Sequence, residues 1–392
     1  MNERKQKLEL KYFDIKLVVL IIGISIVGIL AVGSAKESLQ MRQIYGVIFG
    51  FFAMLMISAF DYGMILKLYW LIYAGNIGLL LMVQLFGQST NNAQRWIEIA
   101  GIRFQPSETA KILLILFFAQ FIMKRRERMN SFQNLLIMML LFAPVLLLIY
   151  KQPDLSTSIM IMLIFCTVLY VGGLSHKIIL TTLAIVIPVA VILLFLILQP
   201  GQTLVKDYQQ ERILAWLQPE KYALSTAYQQ QNSITAIGSG QLWGKGLNNN
   251  EVGSVKNGNY ISEPQTDFIF AIIGEEMGFV GTSITIILEM FIAAECFFIG
   301  TKARDDAGRI ICFGMGALVG FQSFINIGVT TGLLPNTGLP LPFVSYGLTS
   351  LISLYAGMGF VLSVGLRRPR PRASGTISFT ELIQEDMNIE GF

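Results

Sequence analysis

The run Ser262-Glu263-Pro264-Gln265-Thr266-Asp267-Phe268-Ile269-Phe270 puts a carboxylate where a long polar stretch gives way to apolar sequence. An ionisable group at a membrane rim is costly to keep there and usually has a task. Asp267 in that position can serve as a general base or as a cation ligand. It can equally be an acidic residue at a helix start, favoured by the helix dipole. The two roles are compatible, because a helix start holds a carboxylate rigidly. Glu263, Glu275 and Glu276 lie nearby in sequence. If the segment is helical, Glu275 and Glu276 lie one and two turns deeper than Asp267. Carboxylates at such depth usually face a cavity or a cationic partner.

A second set of charges is Arg95-Trp96-Ile97 with Arg103-Phe104-Gln105-Pro106-Ser107-Glu108-Thr109-Ala110-Lys111. Pro106 and Ser107 fit a helix start, with Ser107 as cap or Pro106 in the first turn. Glu108 and Lys111 then share one face. On an exposed helix such a pair is worth only about a few tenths of a kcal/mol; within a membrane it is too costly to be idle. Arg95, Arg103 and Lys111 are therefore read as a cationic pocket for a phosphate, a task that suits the guanidinium fork. Lys151-Gln152-Pro153-Asp154-Leu155-Ser156-Thr157 reads as a short turn, with Asp154 or Ser156 capping the next helix. Between Asn326 and Ser350, three prolines and several glycines impose irregular backbone near membrane depth, which is tolerated only inside protein or along a wet cavity. A helix N-terminus near Ser345 would aim positive dipole into that cavity and suit an anion.

The elements that must position these residues are membrane helices. The chain is 54% hydrophobic and 14% charged, with mean hydropathy +0.61, against about a quarter charged in soluble domains. Apolar runs fall near 15–35, 43–59, 65–86, 107–123, 132–150, 155–172, 177–198, 281–300, 308–332 and 343–366, and 267–281 is a candidate half-span. The expected class is all-α, a polytopic membrane protein with about ten transmembrane helices. Continuous rather than alternating runs exclude a β-barrel. Basic residues cluster at Arg4, Lys5, Lys7, Lys11 and Lys16, at Lys124, Arg125, Arg126 and Arg128, at Lys302, Arg304 and Arg309, and at Arg367, Arg368, Arg370 and Arg372. With ten spans all four clusters share one side, which the positive-inside rule makes cytoplasmic, with both termini there and loops 87–106, 199–266 and 333–342 facing outward. Topology thus accounts for the net charge of +4 without nucleic acid, and the basic tail is suited to anionic lipid heads. The N-terminal apolar run is read as an uncleaved first span.

Cys166, Cys296 and Cys312 fall in expected helices and suggest neither a disulfide framework nor a metal cluster. The lone His176 reads as an interfacial residue. The long polar loop 199–266 should carry structure of its own: helical spacing over 206–217, ended by Pro219, and helix-compatible sequence over 225–238. Gly238-Ser239-Gly240 and Gly244-Lys245-Gly246 mark a tight turn region. The absence of a P-loop argues against ATP-driven pumping by this chain, and dinucleotide, zinc and Ser-His-Asp signatures are also missing.

Taken together and in order, several blocks resemble the SEDS family (shape, elongation, division, sporulation), the family of RodA, FtsW and SpoVE. They are Arg95-Trp96-Ile97, Gln105-Pro106-Ser107-Glu108, Gln152-Pro153-Asp154-Leu155, Ala236-Ile237-Gly238-Ser239-Gly240, Gly244-Lys245-Gly246-Leu247, Thr266-Asp267-Phe268-Ile269-Phe270 and Gly338-Leu339-Pro340-Leu341-Pro342-Phe343-Val344-Ser345-Tyr346-Gly347. The likeness spans roughly 15–366, and the short N-terminal arm leans to a RodA-like member. It implies one membrane glycosyltransferase domain over 1–366, with its large outward loop at 199–266, and a cytoplasmic tail over 367–392. It implies polymerisation of lipid II into glycan strands outside the bacterial plasma membrane, usually with a class B penicillin-binding protein that makes the crosslinks. The family's essential aspartate matches Asp267, and its glutamate and lysine of the fourth span match Glu108 and Lys111. Gln265 stands where the family usually has His, and Ser156 where it usually has Gly. Gln265, Thr266, Lys245 and Ser345 are expected, with Arg95, Arg103, Glu108 and Lys111, around the substrate and its pyrophosphate.

The implied chemistry joins a sugar with a lipid pyrophosphate at C1 to an acceptor 4-hydroxyl. Asp267 takes the hydroxyl proton and the configuration at C1 inverts. A free Asp, with a pKa of about 3.9, is a poor base; partial burial at the rim would improve it. Arg95, Arg103, Lys111 or a divalent cation (Mg²⁺ or Mn²⁺), with Asp267 a candidate ligand, compensates the departing charge. Two rival readings are a lipid II flippase, which needs polar groups along a whole transmembrane route, and a scaffold that recruits the crosslinking enzyme. The concentration of informative residues on the outer half favours surface chemistry.

Overall fold

The computed structural model describes residues 10–90, 93–99, 102–199, 205, 207–248, 254, 258 and 260–368. Arg4, Lys5 and Lys7 of the first basic cluster, Lys206, and the tail from 369 to 392 with Arg370 and Arg372 lie outside the described residues. The chain opens with α1 (Ile15–Ala35), α2 (Glu37–Ala59), the short α3 (Tyr62–Leu66) and α4 (Tyr69–Phe86). Strands β1 (Gln88–Thr90), β2 (Ala93–Ile99) and β3 (Ile102–Phe104) follow, then α5 (Pro106–Lys124), α6 (Phe132–Lys151), α7 (Leu155–Val171) and α8 (His176–Ile197). The polar loop contributes α9 (Asp207–Leu217) and α10 (Tyr228–Ser239), and the chain returns through α11 (Ile269–Thr301), α12 (Asp306–Thr330) and α13 (Leu348–Leu366).

Among the described residues, nine helices are long and apolar enough to cross a bilayer, and α7 is a shorter tenth. The ten expected spans are therefore present, with shifted edges. The second begins at Glu37. The third begins at Tyr69, because Asp61 caps the separate helix α3 through the amide of Gly63 at 2.8 Å. The last begins at Leu348, leaving 343–347 non-helical. Helix starts are set by side-chain caps: Asp14 for α1, Ser131 for α6, Ser175 for α8 and Asp305 for α12. Pro106 occupies the first position of α5, where its missing N–H costs nothing.

The bundle is built around α5 and α13, whose residues are buried on nearly all sides. α13 packs on α2, α11 on α12 and α1, and α5 on α4, α12 and α13. α8 is exposed along almost its whole length, as an apolar helix can be only in lipid. The three cysteines are free thiols. Segment 87–106, expected as an outward loop, forms a small antiparallel sheet in the order β1-β2-β3. These are the strands among the described residues of a largely helical chain. The helices expected at 206–217 and 225–238 are α9 and α10. We call the end of the bundle that carries them the loop end.

Candidate active site

Asp267 lies just before α11, and its main chain is held from two sides. The Asn326 side-chain amide of α12 donates to the Asp267 carbonyl at 2.8 Å and to the Leu339 carbonyl at 2.7 Å. One residue earlier, Ser345 Oγ donates to the Thr266 carbonyl at 2.6 Å and accepts from the amide of Leu341 at 2.7 Å. The amide of Tyr346 donates to the Gln265 carbonyl at 2.9 Å. The irregular segment 331–347 is therefore a brace folded back along α12, in keeping with its reading as backbone buried in protein. The helix N-terminus expected near Ser345 lies three residues later, at Leu348, and the Ser345 hydroxyl serves the brace instead.

The side chain of Asp267 is only partly buried. Among the described residues its carboxylate forms no hydrogen bond or ion pair, and Gly338 lies against it, so closely that a β-carbon there would sit 3.1 Å from Oδ2. Desolvation pushes its pKa from an ordinary 3.8 to about 6; Asp154 and Glu263 push the same way, while Arg212 and Arg95 pull it back.

Contacts along α1 give the depth of this carboxylate. Glu276 accepts a 2.6 Å hydrogen bond from Ser34, one residue from the end of α1. A side chain on Gly28 would overlap Val344, the neighbour of the Ser345 that holds Thr266. Those six residues of α1 correspond to about 9 Å. Asp267 is thus about two turns further into the bundle than Glu276. The expectation that Glu275 and Glu276 lie deeper is reversed. Residues 269–277 form a half-helix running back toward the loop end. The chain then turns at Gly278 (φ 64°, ψ −160°), and the long arm of α11 descends past Gly23 at Leu288.

Two arginines approach from other elements. Arg95 of β2 donates from Nε to the Gln152 carbonyl at 3.3 Å and from Nη2 to the Pro153 carbonyl, with Nη1 3.9 Å from Asp154 Oδ1. Asp154 also caps α7 through the amide of Thr157 at 3.1 Å. Ser156 donates to the Thr337 carbonyl, which brings this turn against the residue preceding Gly338. Arg212 of α9 reaches the Asn336 carbonyl at 3.5 Å. Sequence reasoning found the helix of Arg212 but missed the residue. The signal it offered was one guanidinium in a polar helix leading back to the membrane.

The remaining expected residues divide. Gln265 is buried and donates to Glu263 Oε2 at 2.8 Å, and Thr266 Oγ1 donates to the Glu263 carbonyl at 2.8 Å. Both shape the segment that ends in Asp267. Glu108 and Lys111 are 3% and 1% exposed and paired at 2.8 Å. Lys111 also donates to Gln322 Oε1 at 2.8 Å, Gln322 donates to the Pro340 carbonyl at 2.9 Å, and Ser350 donates to Glu108 Oε2 at 2.6 Å. This buried network joins α5, α12, α13 and the brace beneath Asp267, and it holds the Lys111 ammonium between Glu108 and Gln322. Arg103 is exposed on β3 opposite Glu98, and its carbonyl, which accepts from Thr349 Oγ1 at 3.2 Å, ties it to the bundle. Lys245 is paired with Glu275 at 2.9 Å, at the far end of the half-helix from Asp267.

A multi-span helical bundle that holds a raised-pKa carboxylate within the influence of two arginines defines a membrane-embedded enzyme class. The comparisons agree. The model of the cell cycle protein family of FtsW, RodA and SpoVE matches residues 8–368. The peptidoglycan glycosyltransferase MrdB of Escherichia coli K12 is 38% identical over 291 residues, covering 74% of this chain and 75% of that protein. A probable peptidoglycan glycosyltransferase FtsW of Wigglesworthia glossinidia brevipalpis is 30% identical over 381 residues, covering 92% and 96%. Among solved structures, a chain of a peptidoglycan synthase complex studied for its coordination of polymerisation and crosslinking aligns with TM-score 0.75 at 28% identity, covering 92% of this chain and 99% of that one. The rod shape determining protein RodA of Thermus thermophilus aligns with TM-score 0.67 at 26% identity, covering 92% and 98%. This chain belongs to the FtsW, RodA and SpoVE family.

Proposed function

We propose that this chain is a peptidoglycan glycosyltransferase that polymerises lipid II at the outer face of the bacterial plasma membrane. The observation that carries the reading is the Asp267 carboxylate, unpaired among the described residues, raised to about 6, with Arg95 and Arg212 acting on it from opposite elements. At neutral pH such a carboxylate is ionised yet more basic than a free Asp, which suits a general base. Asp267 takes the proton of the acceptor 4-hydroxyl. That oxygen bonds to C1 of the donor sugar, the bond from C1 to the pyrophosphate oxygen breaks, and the configuration inverts. The two guanidinium groups offset the charge left on the lipid pyrophosphate.

The donor set also suits a divalent cation, Mg²⁺ or Mn²⁺. Such ions are usually held by one or two carboxylates together with substrate phosphates, and Asp267 would be the protein ligand. Among the described residues, His, Cys, Asp and Glu do not gather in threes to hold an ion unaided. A bound cation would supply further charge compensation for the pyrophosphate. The positive-inside rule puts the basic ends and both termini in the cytoplasm and the loop end outside. The polyprenyl tails would lie in lipid-facing grooves. As the family resemblance implies, the partner is a class B penicillin-binding protein, in keeping with the likeness to a chain of a peptidoglycan synthase complex that polymerises and crosslinks.

The test is glycan synthesis from labelled lipid II by purified protein with Mg²⁺ or Mn²⁺, with and without a candidate partner. The wild type makes chains and Asp267→Ala does not; chains made by Asp267→Ala at the wild-type rate would end the assignment.

A further inference from the structure

The interruption of α11 at Gly278 frees backbone groups on both sides of the break, and buried backbone groups must find partners. The segment 240–246, which follows directly on α10, supplies them. The amides of Lys245 and Gly246 donate to the carbonyls of Glu275 at 2.9 Å and Glu276 at 3.0 Å. In return, the amides of Phe279 and Val280 donate to the carbonyls of Gln241 at 2.8 Å and Leu242 at 3.2 Å. Three glycines make the fit: a β-carbon on Gly240 would overlap the Gly274 carbonyl, one on Gly244 the Glu276 carbonyl, and one on Gly278 the backbone of Gly244. The ion pair of Lys245 with Glu275, whose carboxylate is 2% exposed, closes the joint. Glu276 also accepts from the Asn248 amide at 3.3 Å, beside its bond from Ser34, so the joint is fixed to α1 as well.

We propose that this interlock positions Asp267, and that Lys245 is a positioning residue for the reaction and not a pyrophosphate ligand. The inference rests on the reading of Asp267 as the general base. The half-helix 269–277 carries Asp267 at one end and the joint at the other, about 13 Å apart. It is a short rigid rod, so a shift at Glu275 arrives at the carboxylate. The Lys245–Glu275 contact fixes how that rod stands relative to Arg95 and Arg212. Gln230 and Ser233 of α10 bind the carbonyls of Val329, Leu334 and Thr330.

The experiment compares full-length wild type with Lys245→Ala, Lys245→Arg, Glu275→Gln and Asp267→Ala, using labelled lipid II as the probe and measuring kcat, KM and the melting midpoint. Misplacement of a reacting group by about 1 Å can cost two orders of magnitude. Lys245→Ala should lower kcat by about tenfold or more with KM held within about twofold. Lys245→Arg should recover most of the rate. A raised KM with unchanged kcat would show that Lys245 binds substrate and would overturn the proposal, as would wild-type kinetics. If Lys245→Ala does not fold, Glu275→Gln, which keeps size and removes the charge, decides by the same criteria. If Asp267→Ala polymerises like wild type, the general-base reading falls and takes this one with it. If Asp267→Ala is dead while Lys245→Ala matches wild type, only the positioning role is lost.

Discussion

One amide side chain holds the reacting strand and its brace together: Asn326 Nδ2 donates at 2.8 Å to the Asp267 carbonyl and at 2.7 Å to that of Leu339. Both protons of one nitrogen are used, so the two segments share a single anchor. In Asn326→Leu, two carbonyls in a largely dry site lose their donor, at about 1–3 kcal/mol each. We expect a lower melting midpoint and a loss of kcat of about tenfold or more, because Asp267 is no longer held in place. Scanning calorimetry and the glycan assay on the same preparation check this.

The rate should depend on pH through Asp267. The base must be ionised, so activity falls as pH drops through about 6. Stability runs the other way. The folded pKa lies above the unfolded value of about 3.8, so the native state holds the extra proton between those values, and stability declines as pH rises across that window. Asp267→Asn, always neutral, should abolish turnover while raising the melting midpoint at pH 7 and flattening its pH dependence between about 4 and 6. A midpoint no higher than that of wild type would contradict the desolvation account.

Arg95 and Arg212 both lower the Asp267 pKa. Removing either should move the acid limb of the pH profile upward and reduce kcat, by about tenfold to a hundredfold if each offsets pyrophosphate charge. Arg95→Ala should also cost stability, because Arg95 ties down the Gln152 and Pro153 carbonyls. pH–rate profiles and thermal melts of the two variants separate these effects.

The pair of Glu108 and Lys111 invites a double-mutant test. Lys111→Met leaves a buried carboxylate without its counter-ion, a change that costs about 3–5 kcal/mol. Adding Glu108→Gln should restore much of the loss, since the amide can still accept from Ser350 Oγ. Melting midpoints of the two single variants and the double variant measure the coupling; additive losses would show that the pair is not a unit.

Gly338 faces the Asp267 carboxylate at φ 76°. Gly338→Ala adds a methyl group 3.1 Å from Oδ2 in a backbone region that L side chains rarely adopt. Activity should fall severely with a melting midpoint that drops by only a few degrees, a split that an activity assay beside a melt will show.

Much of this protein follows from local sequence. The ten spans, the helices at 207–217 and 228–239, the start of α5 at Pro106 and the cap at Asp154 need only hydropathy, period and capping chemistry, which act over a few residues. Asp267 was legible for the same reason, since a carboxylate at the edge of apolar sequence is conspicuous. The three-dimensional arrangement decided the rest, because each remaining feature depends on residues distant in the chain. The direction of the half-helix turns on one φ/ψ pair at Gly278 and on backbone partners at 241–246, about 35 residues away. Lys111 looks like a phosphate ligand in sequence; Gln322, two hundred residues on, makes it part of a buried network. Lys245 reads the same way in sequence, and Glu275, packed beside it, pairs with it. Arg212 acquired a role only when α9 folded over Asn336. Charge type is written in the chain, but whether a charge meets substrate or a buried partner depends on which distant segment packs against it.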